Sequence, residues 1–321
     1  MQLGHLTVEP GAALAPMAGV TDYAFRTVCA EQGACLTVTE MVSAKALHYG
    51  DRKSLSLLRK TGAGLCGAQL FGSDPELLAE GARKAVEVSA CDFIDLNMGC
   101  PMPKIVNNGE GAALLKDLRL AGEIIRAVAQ AVDVPVTVKT RTGWDRGSVN
   151  VVELAQLAQE NGAAAIAVHG RTKTMLYSGM ADWDVIRAVK SAVTIPVIAN
   201  GDIRSAETAL RCLARSHADL LMVGRAAFGD PWLFAELRAA LCGQPIPERP
   251  PLAGRMALAR RQFDLALEDK GEHIACLEAR KHLAWYLHGV PYSNEYKDRI
   301  SRISTREEAY RLIEQISRAL R

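Results

Sequence analysis

The stretch Ala13-Leu14-Ala15-Pro16-Met17-Ala18-Gly19 (ALAPMAG, 13–19) closes the first apolar run of the chain. The residues just after that run decide the fold. A doubly wound open sheet carries a glycine-rich phosphate turn, G-x-G-x-x-G, after its first strand, and none stands here. Seven further short, β-rich apolar runs come later in the chain, at 35–39, 64–71, 93–96, 135–139, 164–169, 196–199 and 219–223. With 13–17 they make eight. They are nearly continuous in apolar character, the pattern of parallel strands buried on both faces. Segments of helical periodicity lie between them, at 75–89, 112–131, 149–161, 183–192 and 205–214, and Asp22, Ser73 and Ser205 stand where N-caps belong. Eight strand–helix units in about 230 residues predict an α/β fold, a (β/α)8 TIM barrel.

The texture changes near residue 243. Residues 243–251 hold four prolines in nine positions, which reads as a stiff linker. Beyond it the periodicity is helical, at 255–269, 273–288 and 306–320, with no strand run. The expected organisation is a barrel over 1–242, a linker over 243–251 and a C-terminal α-helical domain over 252–321.

Composition excludes several classes. Hydrophobic residues make up 49% of 321, enough for a sizeable core, yet no apolar run reaches the length of a transmembrane helix. The first twenty residues lack a charged start followed by an apolar block, so no secretory signal is expected. The chain reads as cytoplasmic. Its eight cysteines are scattered with no CxxC pair, which argues against a metal site and for free thiols. Most of them read as small buried hydrophobes. The net charge of +2 predicts no nucleic-acid partner by itself, and the slight basic tilt beyond residue 244 fits any solvated helical surface.

In a (β/α)8 barrel the active site lies at the C-terminal strand ends. Those ends carry Pro16, Met17 and Ala18, then Gln69, Asn97 and Cys100, Lys139 and Arg141, His169 and Arg171, Asn200-Gly201-Asp202, and Gly224-Arg225. Cys100 stands between Gly99 and Pro101, so its backbone is constrained and its thiol is pointed. Lys139 and Arg141 are two apart and face the same way. Two buried cations call for an anion; if the strand has already ended, both are simply solvated. The loops after strands 7 and 8 hold phosphates in many barrels, and Arg225 would add a charge-assisted bond, although two ordinary turns would look alike. His169, followed by Gly170 and Arg171, reads as a ligand contact more than as a core histidine.

In this order, the strand ends resemble the tRNA-dihydrouridine synthase family. The matching segments are LAPMAGVTDYAFR (14–26), GAQLFG (67–72), DLNMGCPMPKIVNNGEGAALLKD (95–117), VKTRTGW (138–144), VHGRT (168–172), IANGDI (198–203), MVGRAAFGDPWLF (222–234) and ARKHLAWYLHGVP (279–291). The MPKIVNNGEGAALL wording is similar to the bacterial B-type branch. The resemblance implies a flavin-dependent oxidoreductase that uses FMN and NADPH to reduce the C5–C6 double bond of a uridine in the tRNA D-loop. Carried over, Pro16, Met17, Ala18, Gln69, Lys139, His169, Asn200, Gly201, Asp202, Gly224 and Arg225 contact the flavin. Cys100 protonates C5, while Asn97 and Arg141 meet the substrate. An ordinary thiol is mostly protonated at neutral pH and serves as a general acid without an activating base. Arg280, Lys281, Lys297, Arg299 and Arg302 are candidates for tRNA contact; Trp285 and Tyr286 are expected to pack between helices. A monomer that takes tRNA and NADPH, with neither metal nor membrane, is the expected state.

Two rivals remain at this point. One is a flavin barrel dehydrogenase acting on a free pyrimidine base, against which the helical appendage argues. The other is a non-catalytic RNA-binding barrel, against which the full set of polar strand ends argues.

Overall fold

The computed structural model describes residues 1–319. Among them, eight parallel strands close into a barrel: β1 Ala12–Leu14, β2 Leu36–Val38, β3 Leu65–Phe71, β4 Phe93–Met98, β5 Val136–Arg141, β6 Ala165–His169, β7 Val197–Asn200 and β8 Leu220–Val223. Each strand pairs in parallel with the next, and β8 returns to β1 with Met222 opposite Ala13. Closure leaves these strands no unpaired edge.

Side-chain alternation splits each strand between two cores. Ala13, Leu36, Val38, Phe93, Ala165, Ala167, Ile198, Leu220 and Met222 point into the barrel. Leu14, Leu70, Ile94, Leu96, Val138, Ile166 and Val168 point outward, into the layer shared with the helices. Both faces are covered, which is why the runs read as continuously apolar. A hairpin of Gln2–Leu3 with Leu6–Thr7, too short to leave a periodic signal, sends Leu3 and Val8 into the inner cluster and seals the lower end. Fully burying one such side chain contributes about 2 kcal/mol.

The expected eight strands are the observed ones, with shifts at their upper ends. β1 stops at Leu14, so Pro16, Met17 and Ala18 lie in the following loop. By contrast β4 runs through Asn97 to Met98, and β5 runs through Arg141. Lys139 and Arg141 are therefore both in the strand and share its inner face, as expected from their spacing.

Helices 75–89 and 183–192 fall where the periodicity places them. Asp22 caps Tyr23–Glu31 through the Phe25 N–H, and Ser205 caps Ala206–Ser216 with a full capping box. Ser73 is not a cap. Asp74 takes that role, accepting from the Glu76 and Leu77 N–H groups, because Pro75 occupies the first helical position and fixes its neighbour as the N-cap. The segment 112–131 is also not one helix. A 3-10 turn, Gly111–Lys116, ends at Asp117, which then caps Leu118–Ala129.

Residues 243–251 carry no regular structure, but they are tethered: Arg249 pairs with Asp230 at 2.6 Å and with Glu236 at 2.9 Å. The helix Leu252–Tyr286 then breaks at Gly271, where φ is 75°. That break separates the two helices expected at 255–269 and 273–288. A short helix, Asn294–Ile300, was not foreseen, and the last helix covers Arg306–Ala319; Leu320, the expected end, lies outside the described residues.

The helical part packs on the barrel beside β1. Trp285 stacks on Phe228 with ring centroids 4.3 Å apart, and Tyr286 buries its ring and donates its hydroxyl to Gln262 Oε1 at 2.8 Å. Both aromatics pack, as expected. At Gly229 (φ 65°) a Cβ would lie 2.2 Å from the Trp285 carbonyl carbon, so only glycine permits this approach. Lys270 bridges Asp22 of the barrel at 2.7 Å and Glu278 of its own side at 2.5 Å. Arg261 pairs with Glu31 at 2.9 Å.

Candidate active site

The inward rows of the strands continue upward as polar groups around a cavity of about 930 Å³ at the C-terminal strand ends. It is lined by every residue expected to catalyse or to bind flavin or uracil: Cys100, Asn97 and Arg141, then Pro16, Met17, Ala18, Gln69, Lys139, His169, Asn200, Gly201, Asp202, Gly224 and Arg225. Arg171, Tyr177 and Arg204 join them.

Cations dominate the wall. Lys139 Nζ reaches Asn200 Oδ1 at 3.4 Å. Burial, then the repulsion of Arg141, holds its ammonium at about 8, against the opposing pull of Asp95. His169 is 9% exposed, and burial together with Lys139, Arg141, Arg171 and Arg225 pushes its imidazole down to about 2. It is therefore neutral at physiological pH. Arg171 Nη1 faces His169 Nε2 at 3.4 Å, which favours the tautomer with its proton on Nδ1. Gly201 (φ 118°) makes room for this ring, since a Cβ there would meet His169 Cδ2 at 3.0 Å and the Ala181 Cβ at 2.7 Å.

Several groups on the wall have partners within the loops. Asp202 accepts a two-pronged bond from Arg171 Nη2 (2.9 and 2.7 Å) and one from the Ala181 N–H at 2.7 Å. Burial works against its ionisation, but these bonds hold the carboxyl below its ordinary value. Arg171 itself is buried, so the pair clamps the loops after β6 and β7. Arg141 donates to the carbonyls of Gly99 (3.1 Å), Thr172 (2.9 Å) and Leu176 (2.9 Å). Three of its five N–H groups thus tie the loops together, which leaves Nη2 for another acceptor. Tyr177 lies under Arg225, 4.4 Å from guanidinium carbon to ring centroid.

Cys100 stands half-buried at the tip of the neighbouring strand, β4, its loop tied to Arg141 through the Gly99 carbonyl. Its N–H donates to Asn97 Oδ1 at 2.9 Å, as the Gly99 N–H does at 3.2 Å. Burial raises its thiol above the ordinary value even though Arg141 and Lys139 pull it down. The sulfur therefore keeps its proton at neutral pH.

Two contributors, Tyr177 and Asp95, were missed from the sequence. Tyr177 sits in an aperiodic loop, where nothing marks a wall residue. Arg171 and Asp202 were both visible at their strand ends, but their pairing was not. Asp95 is an acid inside an apolar strand, FIDLNM, and that misfit was the available signal. In the helical part, Arg280 is tied to the Ile303 carbonyl, Lys281 to that of Gly19, Arg299 to Gln315 and Arg302 to Asp298. Lys297 has no side-chain partner among the described residues.

With this geometry in view, comparison with known proteins is decisive. The profile of the family described as Dihydrouridine synthase (Dus) matches residues 13–321. The chain belongs to the dihydrouridine synthase family. Membership makes it a flavin-dependent oxidoreductase. A tRNA-dihydrouridine synthase B of Pseudomonas aeruginosa is 43% identical over 305 residues, 94% of this chain and 91% of that protein. A probable tRNA-dihydrouridine synthase of Rickettsia conorii is 41% identical over 304 residues, again 94% and 91%. The likeness to the B-type branch read from the sequence is borne out. Among solved structures, histamine dehydrogenase from Rhizobium sp. 4-9 superposes with a TM-score of 0.60 at 14% identity. That match covers 80% of this chain and half of the other. An NCR variant from Zymomonas mobilis gives 0.53 at 17%, covering 77% and 91%. At such identities these two speak for the barrel alone.

Proposed function

We propose that this dihydrouridine synthase reduces the C5–C6 double bond of a uridine in the tRNA D-loop, with FMN as its flavin and NADPH as reductant. The observation that carries the reading is the placement of Cys100. A protonated thiol, its backbone pinned by Asn97, lines the same cavity as Lys139, His169 and the Gly201 and Gly224-Arg225 loops.

The residues fit FMN. The loops after β7 and β8, with Arg225, suit its phosphate. Gln69 offers an amide edge, and Lys139 is a buried cation awaiting negative charge. When bound, FMN would supply the redox chemistry, relaying two electrons from NADPH as a hydride for C6 of the uracil. The chain's own groups supply the rest. Lys139 Nζ keeps positive charge where electron density accumulates. Cys100 Sγ gives its proton to C5, and no base needs to activate it. The Asn97 side chain and Arg141 Nη2 meet the uracil and its sugar-phosphate. A uridine in folded tRNA has to leave its stack at a cost of a few kcal/mol, offset by contacts to the RNA backbone; the helical domain over 252–321 is the proposed docking surface.

Cys100→Ala tests this. The variant should keep its flavin and its NADPH oxidation and lose dihydrouridine formation in tRNA by at least about 100-fold, the usual scale of general-acid catalysis. Normal dihydrouridine formation would exclude the thiol as the acid.

A further inference from the structure

Asp95 lies inside the barrel, 3% exposed, one layer below the cavity. Strand register sets it between two other inward residues, Gln69 of β3 and Thr137 of β5. Thr137 Oγ1 donates to Asp95 Oδ1 at 2.6 Å, and Gln69 Nε2 donates to Asp95 Oδ2 at 2.6 Å. An ionised carboxylate only accepts. Gln69 therefore has one orientation, with its nitrogen down and its carbonyl oxygen up. That oxygen accepts from Asn97 Nδ2 at 2.9 Å. Asn97 is thereby turned so that its own oxygen points away, towards the N–H groups of Gly99 and Cys100.

Side-chain amides normally leave their oxygen and nitrogen ends ambiguous. Here both ends of the chain of bonds agree. The carboxylate at the bottom can only accept, the backbone N–H groups at the top can only donate, and the two amides between them run head to tail. Bonds in such a series also polarise one another.

We infer that Asp95 is a positioning residue: through the fixed amide polarity of Gln69 and Asn97 it anchors the backbone of Cys100 at the cavity wall. Its effect on uridine reduction rests on the function proposed above; its effect on the Cys100 backbone does not. The raised carboxyl of Asp95, about 6 because of burial and against the bonds from Thr137 and Gln69, is consistent with an ionised acceptor at neutral pH.

Two substitutions separate polarity from charge. In Asp95→Asn the new amide can keep its oxygen towards Gln69 while its nitrogen donates to Thr137, whose hydroxyl turns to the Ile94 carbonyl 3.4 Å away. The chain of bonds survives and the charge is lost. In Asp95→Ala the bottom acceptor disappears and Gln69 is released. The measurement is amide hydrogen exchange by NMR in cofactor-free protein, with the Cys100 N–H referred to the Ile166 N–H of β6, two strands away and bonded to the Pro196 carbonyl, so that a uniform loss of stability cancels. Asp95→Ala should speed Cys100 exchange by at least about five-fold, the weight of one hydrogen bond, while Asp95→Asn stays within about two-fold of the parent. Unchanged exchange in Asp95→Ala overturns the inference, and so does equal loss in both variants, which would make charge the cause. If Asp95→Ala does not fold, Gln69→Leu cuts the same chain at its middle link. Faster Cys100 exchange there supports the inference, and unchanged exchange refutes it.

Discussion

Lys270→Ala tests how the helical part is held on the barrel. Lys270 is 17% exposed and Asp22 only 6%, while Glu278, at 28%, keeps some water. Burial pushes the Asp22 carboxyl up, but Lys270 more than offsets it, with help from His282 and the Phe25 N–H, and the net shift is downward. Removing the lysine strands a buried carboxylate beside the interface. Breaking a buried pair in this way costs about 3–5 kcal/mol; since Glu278 can rehydrate, the lower end, about 3 kcal/mol, is expected. In a chain of 321 residues that lowers the melting temperature by roughly 4–5 °C. Asp22→Asn in the Lys270→Ala background should restore much of the loss, because the amide oxygen still caps Tyr23–Glu31 while the stranded charge is gone. The coupling between the two positions should exceed about 1 kcal/mol. The pH dependence has a definite sign. With the Asp22 carboxyl held below its unfolded value, the pair stabilises above that unfolded value, near 4, and its contribution is lost as pH falls through the folded one. Parent and variant should therefore converge in acid. Denaturant melts of the four proteins at pH 7, followed by tryptophan fluorescence, read the cycle. A Lys270→Ala cost under about 0.5 kcal/mol, or an Asp22→Asn effect that is the same in both backgrounds, would refute the reasoning.

Two further outcomes are expected. Lys139, held at about 8 by burial, loses its charge above that pH, so FMN affinity of the cofactor-free protein should fall about ten-fold between pH 7 and 9 if only the cation binds. Flavin fluorescence titration measures it, and a Lys139→Met protein should show a flat profile in the same range. Lys297→Ala should weaken tRNA binding and reduce the slope of log Kd against log salt by about one. Filter binding at several salt concentrations checks this, and an unchanged slope would remove Lys297 from the RNA surface.

The barrel was legible because parallel strands covered on both faces leave unbroken apolar runs, and eight such runs admit few closed arrangements. Strand ends were less legible for the reason that makes them useful. Asn97, Lys139 and Arg141 are polar residues inside strands, and they read as terminations until the inward row is seen to continue into the cavity. The wall residues were readable because strand tips are where a barrel places chemistry. Their partners were not. Whether Arg171 meets Asp202, or Arg141 meets the carbonyls of Gly99, Thr172 and Leu176, is decided by loop closure between segments about 30 to 40 positions apart, which leaves no local pattern. The same holds for the surface cations of the helical part, most of which are already bonded.

The hairpin that drives Leu3 and Val8 into the bottom of the barrel makes the central chamber a blind pit. A pit has a single doorway. On the function proposed here, nicotinamide and a nucleotide carried on a bulky RNA must queue for the same rim, each leaving before the other arrives. Turnover would then alternate between a visit by the reductant and a visit by the RNA, with the flavin holding the electrons in between.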